Sequence, residues 1–173
     1  MNILRTITAY TTLKPLQMSV LAAACAGLSI GAIGFATSQL MRGGTPAVIA
    51  SMGAAAVIVF QFPQSPAARV WPILGGHLVS ALIGVTVSQL IPDRIIAGGV
   101  AVGLSLLAMA VLRCMHPPGG GTALVAVLGG AVIQDAGYRF VLFPTFINAL
   151  LLAVFASVFV RLTAKPSDDN LVR

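Results

Sequence analysis

Long apolar runs alternate along the chain with short breaks that contain proline, glycine or charged residues. Four of the runs are about as long as a membrane-spanning helix needs to be, roughly 17–25 residues. They cover residues 16–40, 71–91, 95–112 and 140–160. Two further runs, at 47–62 and 121–134, are shorter. The pattern therefore predicts an all-α polytopic membrane protein with four long and two short hydrophobic helices.

The polar residues at the two ends of the chain leave one apolar domain between them. Residues 1–15 contain Arg5 and Lys14, and we predict a basic N-terminal leader there. Residues 16–162 are predicted to form the transmembrane domain, and residues 163–173 a polar C-terminal tail. The first apolar run is too long for the core of a signal peptide, so we assign it to the membrane.

The composition agrees with this assignment. Hydrophobic residues make up 58% of the chain and charged residues 8%, and the mean hydropathy is +0.99. A soluble domain of this size could not bury so much apolar surface. The net charge of +6 comes from Lys and Arg at the segment ends, with no basic face or aromatic platform. We therefore expect contact with membrane lipids and no nucleic acid partner.

The distribution of Lys and Arg predicts how often the chain crosses the membrane. With six crossings and both termini in the cytoplasm, seven of these residues lie inside and three, Arg42, Arg94 and Arg139, lie outside. If the two short helices were re-entrant, the ratio would be six to four. The positive-inside rule favours six crossings. We expect the protein in a bacterial plasma membrane rather than in an organelle membrane.

The order long, short, long occurs twice, which indicates an internal duplication. A shift of 68 positions aligns residues 51–57 with 119–125, and 80–82 with 148–150. Because each half has an odd number of crossings, the two halves would have opposite orientations in the membrane. We therefore predict an inverted repeat of three plus three helices. The halves cover residues of about 16–91 and 95–162.

Both short runs begin beside a break in the helical pattern. Residues 114–122 read Cys-Met-His-Pro-Pro-Gly-Gly-Gly-Thr, where the prolines lack N–H donors and the glycines allow unusual backbone conformations. The break before the other run ends in Thr45 and Pro46, a suitable N-cap and first helical residue. At membrane depth such backbone is tolerated only inside protein or beside a water-filled cavity. Paired interrupted segments therefore indicate a transporter site.

The chemistry available at these helix starts favours a small anion. Helix N-termini present free N–H groups and a partial positive charge of about +0.5, and glycines let an anion reach those groups. Ser51 and Thr122 add hydroxyl donors. No Asp or Glu lies within an apolar run, and the sequence has no nucleophile–base set or phosphate-binding loop. Cys114 and His116 are too few to hold a metal ion, so we expect no enzyme activity, cofactor or metal.

Two histidines are the strongest candidates for function, and each has a simpler alternative role. His116 would pair with an anion when charged and release its proton when neutral, or it would only fix the turn. His77 would line the pathway or form a hydrogen bond between helices. Arg113 would anchor the cytoplasmic side or concentrate anions at the mouth of the site. The substrate-binding residues that we predict, all at or near the two helix starts, are Ser51, Gly53, Ala54, His77, His116, Pro117, Pro118, Gly119, Gly120, Gly121 and Thr122.

Several of these segments resemble the HPP family of integral membrane proteins. Residues 114–124 resemble the family signature, and residues 51–57, 62–66 and 75–81 resemble its other motifs. The resemblance extends over residues of about 45–162. Members of this family are described as nitrite transporters. The resemblance therefore implies nitrite, or a similar monovalent anion, as the substrate.

Two positions depart from the family pattern. Gly121 stands where the family often has Ala, and Ala55 stands where it often has Ser. The hydroxyl that Ala55 lacks relative to Ser bears on which anion is preferred. The alternative function is a non-transporting membrane scaffold or assembly partner, which the Gly-x-x-x-Gly faces at 27–31 and 99–103 would also suit. In either case we expect a homo-oligomer.

Overall fold

The computed structural model describes residues 15–40 and 50–164, and within these ranges it is helical with no strand. Its helices are α1 (Pro15–Leu40), α2 (Ser51–Gln61), α3 (Val70–Leu90), α4 (Arg94–Val111), α5 (Pro118–Leu128), α6 (Gly130–Ala136) and α7 (Ile147–Thr163). A 3-10 turn, Pro66–Ala68, lies between α2 and α3, and a wider π-helical turn, Val141–Phe146, leads into α7. Most of the predicted leader, the predicted N-cap Thr45 and most of the polar tail lie outside the described residues.

In the described part of the chain, four helical segments are long and apolar enough to cross a membrane, and the bent pair Pro118–Leu128 and Gly130–Ala136 would make a fifth if it is one span. The four are Leu16–Gln39, Val70–Leu90, Arg94–Val111 and Val141–Thr163. Their exposed large side chains are mostly Leu, Ile, Val and Phe, as contact with lipid requires. The predicted all-α class and the four long helices are therefore confirmed, and the inverted repeat stays a prediction.

The second short helix differs from its prediction, because it begins earlier and is broken. The helix begins at Pro118, where the fixed φ of proline suits a first helical position. It stops before Gly130, whose φ of +79° lies in the left-handed region. Helix α6 then continues at 96° to α5. The Gln134 side-chain amide donates to the carbonyls of Ala126 and Val127, both at 3.0 Å, and so caps the end of α5.

The last long helix is also interrupted, which the sequence prediction of one helix over 140–160 missed. Phe143 has extended backbone angles, φ −130° and ψ 117°, inside the π-helical turn. Pro144 follows it, and the residue before a proline is disfavoured in the helical region. The continuous part of the helix therefore starts at Ile147.

Helix α3 lies at the centre of the fold and packs against α4, α5 and α7. Its contact with α5 is unusually close at Gly76 and Gly119. A Cβ atom added at Gly119 would lie 2.7 Å from the Gly76 carbonyl oxygen and 2.8 Å from Ser80 Oγ. Glycine is therefore required at this position by packing. The approach brings the start of α5 against the middle of the central helix.

Helices α1, α2 and α7 enclose a second part of the core. Phe60 of α2 meets Phe159 of α7 edge to face, with ring centroids 5.2 Å apart. Met52 and Val59 of α2 and Ile33 of α1 are buried in the same cluster. This packing holds α2 between α1 and α7 even though α2 is too short to span the membrane by itself.

Candidate functional site

The starts of the two short helices meet inside the protein through a chain of three polar side chains. Ser51, the first residue of α2, lies with its Oγ 2.7 Å from Thr122 Oγ1 near the start of α5. The same Thr122 oxygen is 2.7 Å from Nδ1 of His77 on α3. Thr122 and His77 are fully buried and Ser51 is nearly so. His77 lies about a third of the way along α3, roughly 10 Å from its first residue.

Thr122 has one hydroxyl proton, which fixes how this chain can be connected. It donates either to Ser51 or to His77 Nδ1, and it accepts from the other partner. When Thr122 donates to His77, a neutral His77 carries its proton on Nε2. When His77 donates instead, its Nε2 is left with a lone pair. The hydroxyl chain therefore permits both tautomers of His77.

His116 lies beside this chain and has a single neutral tautomer. Its Nδ1 is 2.7 Å from the carbonyl oxygen of Ala67, at the 3-10 turn. A carbonyl oxygen can only accept, so Nδ1 carries the proton and Nε2 of the neutral ring has a lone pair. Burial lowers the pKa of His116 below its ordinary value, and the hydrogen bond to Ala67 partly opposes that shift. Burial therefore favours the neutral form of His116.

The two histidine rings are neighbours, and each has an unused nitrogen. Their centroids are 4.9 Å apart with the planes at 64°. Among the residues that the structure describes, neither His77 Nε2 nor His116 Nε2 has a hydrogen-bond partner, although both rings are fully buried. Unpartnered buried nitrogens are costly, so a pair of them at one place indicates a site that a ligand completes.

A surface cavity of about 340 Å³ is lined by Met115, which precedes His116 in the chain, and by Pro66, which precedes Ala67. Arg69 and Arg113 both line it, and both are exposed. Met109 also lines it, while its sulfur lies 4.0 Å from Ser80 Oγ on the buried side. Met109 therefore separates the cavity from the polar interior. Two arginines and no carboxylate in the lining make the cavity attractive to anions.

The two short helices lead away from the site in opposite directions. Helix α2 runs from Ser51 toward the 3-10 turn, whose Ala67 contacts His116 beside the cavity. Helix α5 runs from Thr122 toward the other end of α3, where Ala126 packs against Gly84. The predicted inverted repeat would also give the two short helices opposite directions, and it stays a prediction. The polar cluster therefore lies at the junction of α2 and α5, with one of these two short helices on each side of it.

The glycine-rich segment of α5 has a different role from the one predicted. The amide N–H of Gly119 donates to the carbonyl of His116 at 2.8 Å, and that of Gly120 donates to the carbonyl of Pro117 at 3.1 Å. These N–H groups are therefore already paired within the chain. Pro118 is buried as the first residue of α5. The structure presents side chains at this helix start in place of the predicted row of free amides.

The remaining predicted residues divide between the site and the outer surface. A Cβ atom at Gly121 would lie 3.2 Å from Ser51 Cβ, so Gly121 helps α2 and α5 to approach. Gly53 and Ala54 are exposed, and no described residue lies within 4 Å of a Cβ built on Gly53. Pro117 is also exposed. The structure does not bring these three residues to the polar cluster.

Sequence reasoning missed several residues that the fold brings to the site. Ala67 contributes only a backbone carbonyl, so no side-chain pattern could have indicated it. Ser80 lies three positions after His77 on α3 and shares its face, a spacing that could have been read. Nothing in the sequence indicated that Met109 would lie at the site. Among the described residues, no three His, Cys, Asp or Glu side chains lie close enough together to hold a metal ion.

Comparison with known proteins assigns a family and gives no structural relative. The family model described as HPP, transmembrane region, matches residues 11–168. Two transmembrane proteins of Dictyostelium discoideum are similar over 115 residues, at 34% and 30% identity. The similar segment is 64% of this chain and 40% and 37% of the two relatives, so it spans about two fifths of their length. No solved structure matches the chain.

Proposed function

Because the chain belongs to the HPP family of transmembrane proteins, we propose that it transports a small monovalent anion, with nitrite as the first candidate. The observation that carries the proposal is the buried cluster of Ser51, Thr122, His77 and His116 beside a cavity with two arginines. The cluster joins the starts of α2 and α5, the paired interrupted helices that mark transporter sites.

The charges around the site favour an anion over a cation. The two carboxylates in the described part of the chain are Asp93 and Asp135. Asp93 is the N-cap of α4, where its carboxylate accepts from the N–H groups of Ile95 and Ile96. Asp135 belongs to α6, which Gln134 ties to Arg94 at that same end. Both lie at the opposite end of α4 from the cavity. A cation would therefore meet two arginines and no acidic ligand, whereas an anion would be attracted.

Nitrite is the substrate that the family resemblance suggests. The names of the two relatives identify them only as transmembrane proteins. In one tautomer of His77 the site also offers a neutral imidazole N–H at Nε2, a donor that suits a small oxyanion. We propose no catalytic step, cofactor or metal. The chain would span a bacterial plasma membrane with both termini in the cytoplasm, with the arginine cavity on the cytoplasmic side.

The second candidate is a membrane scaffold that transports nothing. The glycines at 27, 31, 99 and 103 favour it, because a Cβ at any of them would meet nothing within 4 Å in the described part of the chain. Such open glycine faces suit association with another helix. They serve equally well in a homo-oligomeric transporter, so the two candidates differ only in whether an anion moves.

Reconstituted flux measurements test the proposal. Purified protein in liposomes should take up nitrite faster than protein-free liposomes, in a panel that also contains nitrate, formate and chloride. The His116→Ala variant should lose most of the nitrite flux, because it removes a nitrogen of the buried pair. If no anion in the panel moves and a stable partner is captured in the absence of nitrite, the scaffold is the better description.

A further inference from the structure

The tautomer of His116 sets a condition on any anion that binds beside it. Its Nδ1–H is committed to the Ala67 carbonyl at 2.7 Å, so the neutral ring presents a lone pair at Nε2. A lone pair repels an anion. An anion can therefore be held at this nitrogen only after Nε2 has gained a proton.

The described residues around His116 offer a buried anion no other compensating charge. The titratable and charged groups around His116 are His77 on α3, Arg69 after the 3-10 turn, and Arg113 and Cys114 in its own loop. From α4 and α5 it meets no titratable group in the described part of the chain. The side chains of Arg69 and Arg113 are exposed in the lining of the cavity, whereas both histidine rings are buried. An unpaired anion in the buried site would be strongly disfavoured.

His77 supplies a neutral donor for the same anion. When Ser51 donates to Thr122 and Thr122 donates to His77 Nδ1, the His77 proton lies on Nε2. That nitrogen has no partner and belongs to the ring next to His116. A charged His116 disfavours a second charge on His77 at this separation. The two histidines together would therefore carry one proton more than when both rings are neutral, and this single positive charge balances one anion.

We propose that each anion crosses the site together with one proton bound at His116 Nε2, so that transport moves no net charge. This inference rests on the proposed function of anion transport. On one side, a proton from water forms an N–H bond at Nε2 as the anion binds. On the other side, that N–H bond breaks, the proton returns to water and the anion leaves. No electron is transferred in either step.

Wild-type protein in liposomes tests the coupling directly. The vesicles contain a pH-sensitive dye, and valinomycin with a potassium gradient sets the membrane potential. At pH 7, nitrite added outside should acidify the interior beyond the level in protein-free liposomes, which report the passive leak of nitrous acid. The amount of nitrite accumulated should not change when the potential is reversed.

The opposite result is equally clear. An uncoupled anion accumulates about tenfold for roughly 60 mV of inside-positive potential. Nitrite uptake with that potential dependence and no added acidification would overturn the coupling and leave anion transport standing. Absence of any anion uptake above protein-free liposomes would instead overturn the proposed function itself.

A matched pair of variants assigns the proton to His116. The His116→Asn variant keeps a side-chain N–H that can reach the Ala67 carbonyl and removes the Nε2 base. The rate of proton-coupled nitrite uptake should fall about tenfold in this variant. Unchanged acidification would contradict the assignment of the proton to His116. Thr86→Val serves as the control, since its hydroxyl bonds Leu82 and Tyr138 away from the site. The wild-type measurements decide the coupling even if His116→Asn does not fold.

Discussion

Ser51 and Thr122, 71 positions apart in the chain, share a hydrogen bond of 2.7 Å in the protein interior. It joins the first residue of α2 to the start of α5 and continues to His77 on the central helix. Three helices from both halves of the sequence are thus tied at one buried point. Disturbing that point should affect folding and flux together.

The hydroxyl of Thr122 is the centre of this chain, and replacing it separates shape from hydrogen bonding. Thr122→Val keeps the volume but leaves Ser51 Oγ and His77 Nδ1 without their shared partner. We expect a loss of about 1–2 kcal/mol in the free energy of unfolding. Unfolding titrations in detergent mixtures measure it. Thr122→Ser should recover most of the stability and the nitrite flux, and equal behaviour of the two variants would show that the hydroxyl is unimportant.

Two adjacent glycines of α5 should respond very differently to alanine. A Cβ at Gly119 would lie 2.7 Å from the Gly76 carbonyl, whereas a Cβ at Gly120 has its nearest contact at 3.8 Å, to Val102. Gly119→Ala should therefore lower the free energy of unfolding by about 1–3 kcal/mol through overpacking. Gly120→Ala should be neutral or slightly stabilising, because alanine favours the helix. Similar losses in both variants would contradict the close approach of α3 and α5.

The arginines of the cavity should raise the local concentration of anions. Replacing Arg69 or Arg113 by Gln removes one positive charge from the lining, and we expect the KM for nitrite to rise about two- to tenfold with little change in kcat. The wild-type advantage should shrink at high salt, since these side chains are exposed. Arg139→Gln makes the same charge change away from the cavity. If that control raises the KM equally, the cavity is not the mouth of the pathway.

The course of α5 and α6 predicts a crossing. Helix α5 ends beside Arg94, which bonds the Val127 carbonyl and Gln134 at the start of α4. Leu112, at the other end of α4, and Asp135 should therefore lie on opposite membrane faces. Single cysteines at these two exposed positions, in a background without Cys25 and Cys114, can be labelled with an impermeant reagent in vesicles of known orientation. Labelling of both from the same face would mean a re-entrant segment.

The four long helices could be predicted from the sequence because lipid and core both demand apolar side chains over a fixed length. The breaks in the other helices were harder to predict. Gly130 and Pro144 are visible in the sequence, but their effect depends on the contacts around them, such as the amide of Gln134 that caps α5. Hydropathy averages over such single positions. The sequence therefore supports the number of long spans better than their continuity.

The candidate site, too, could be predicted only in part from the sequence. Ser51, Thr122, His77 and His116 were candidates from the sequence, since polar side chains beside broken helices in an apolar chain have few structural uses. Gly53 and Ala54 were also candidates, and they face outward because α2 buries its other side. Helical phase is hard to fix in a run of small apolar residues, where every face looks alike.

The sequence by itself determined a membrane-spanning helical protein with two interrupted segments, because apolar length and helix-breaking residues act locally. The tertiary structure decided which polar atoms meet. It paired Ser51 with Thr122 and gave His116 its tautomer through the carbonyl of Ala67. It also left, among the described residues, one unpartnered nitrogen on each of two neighbouring imidazole rings. A backbone carbonyl has no residue identity that a sequence could reveal. The proton that we propose to accompany the anion follows from that one contact.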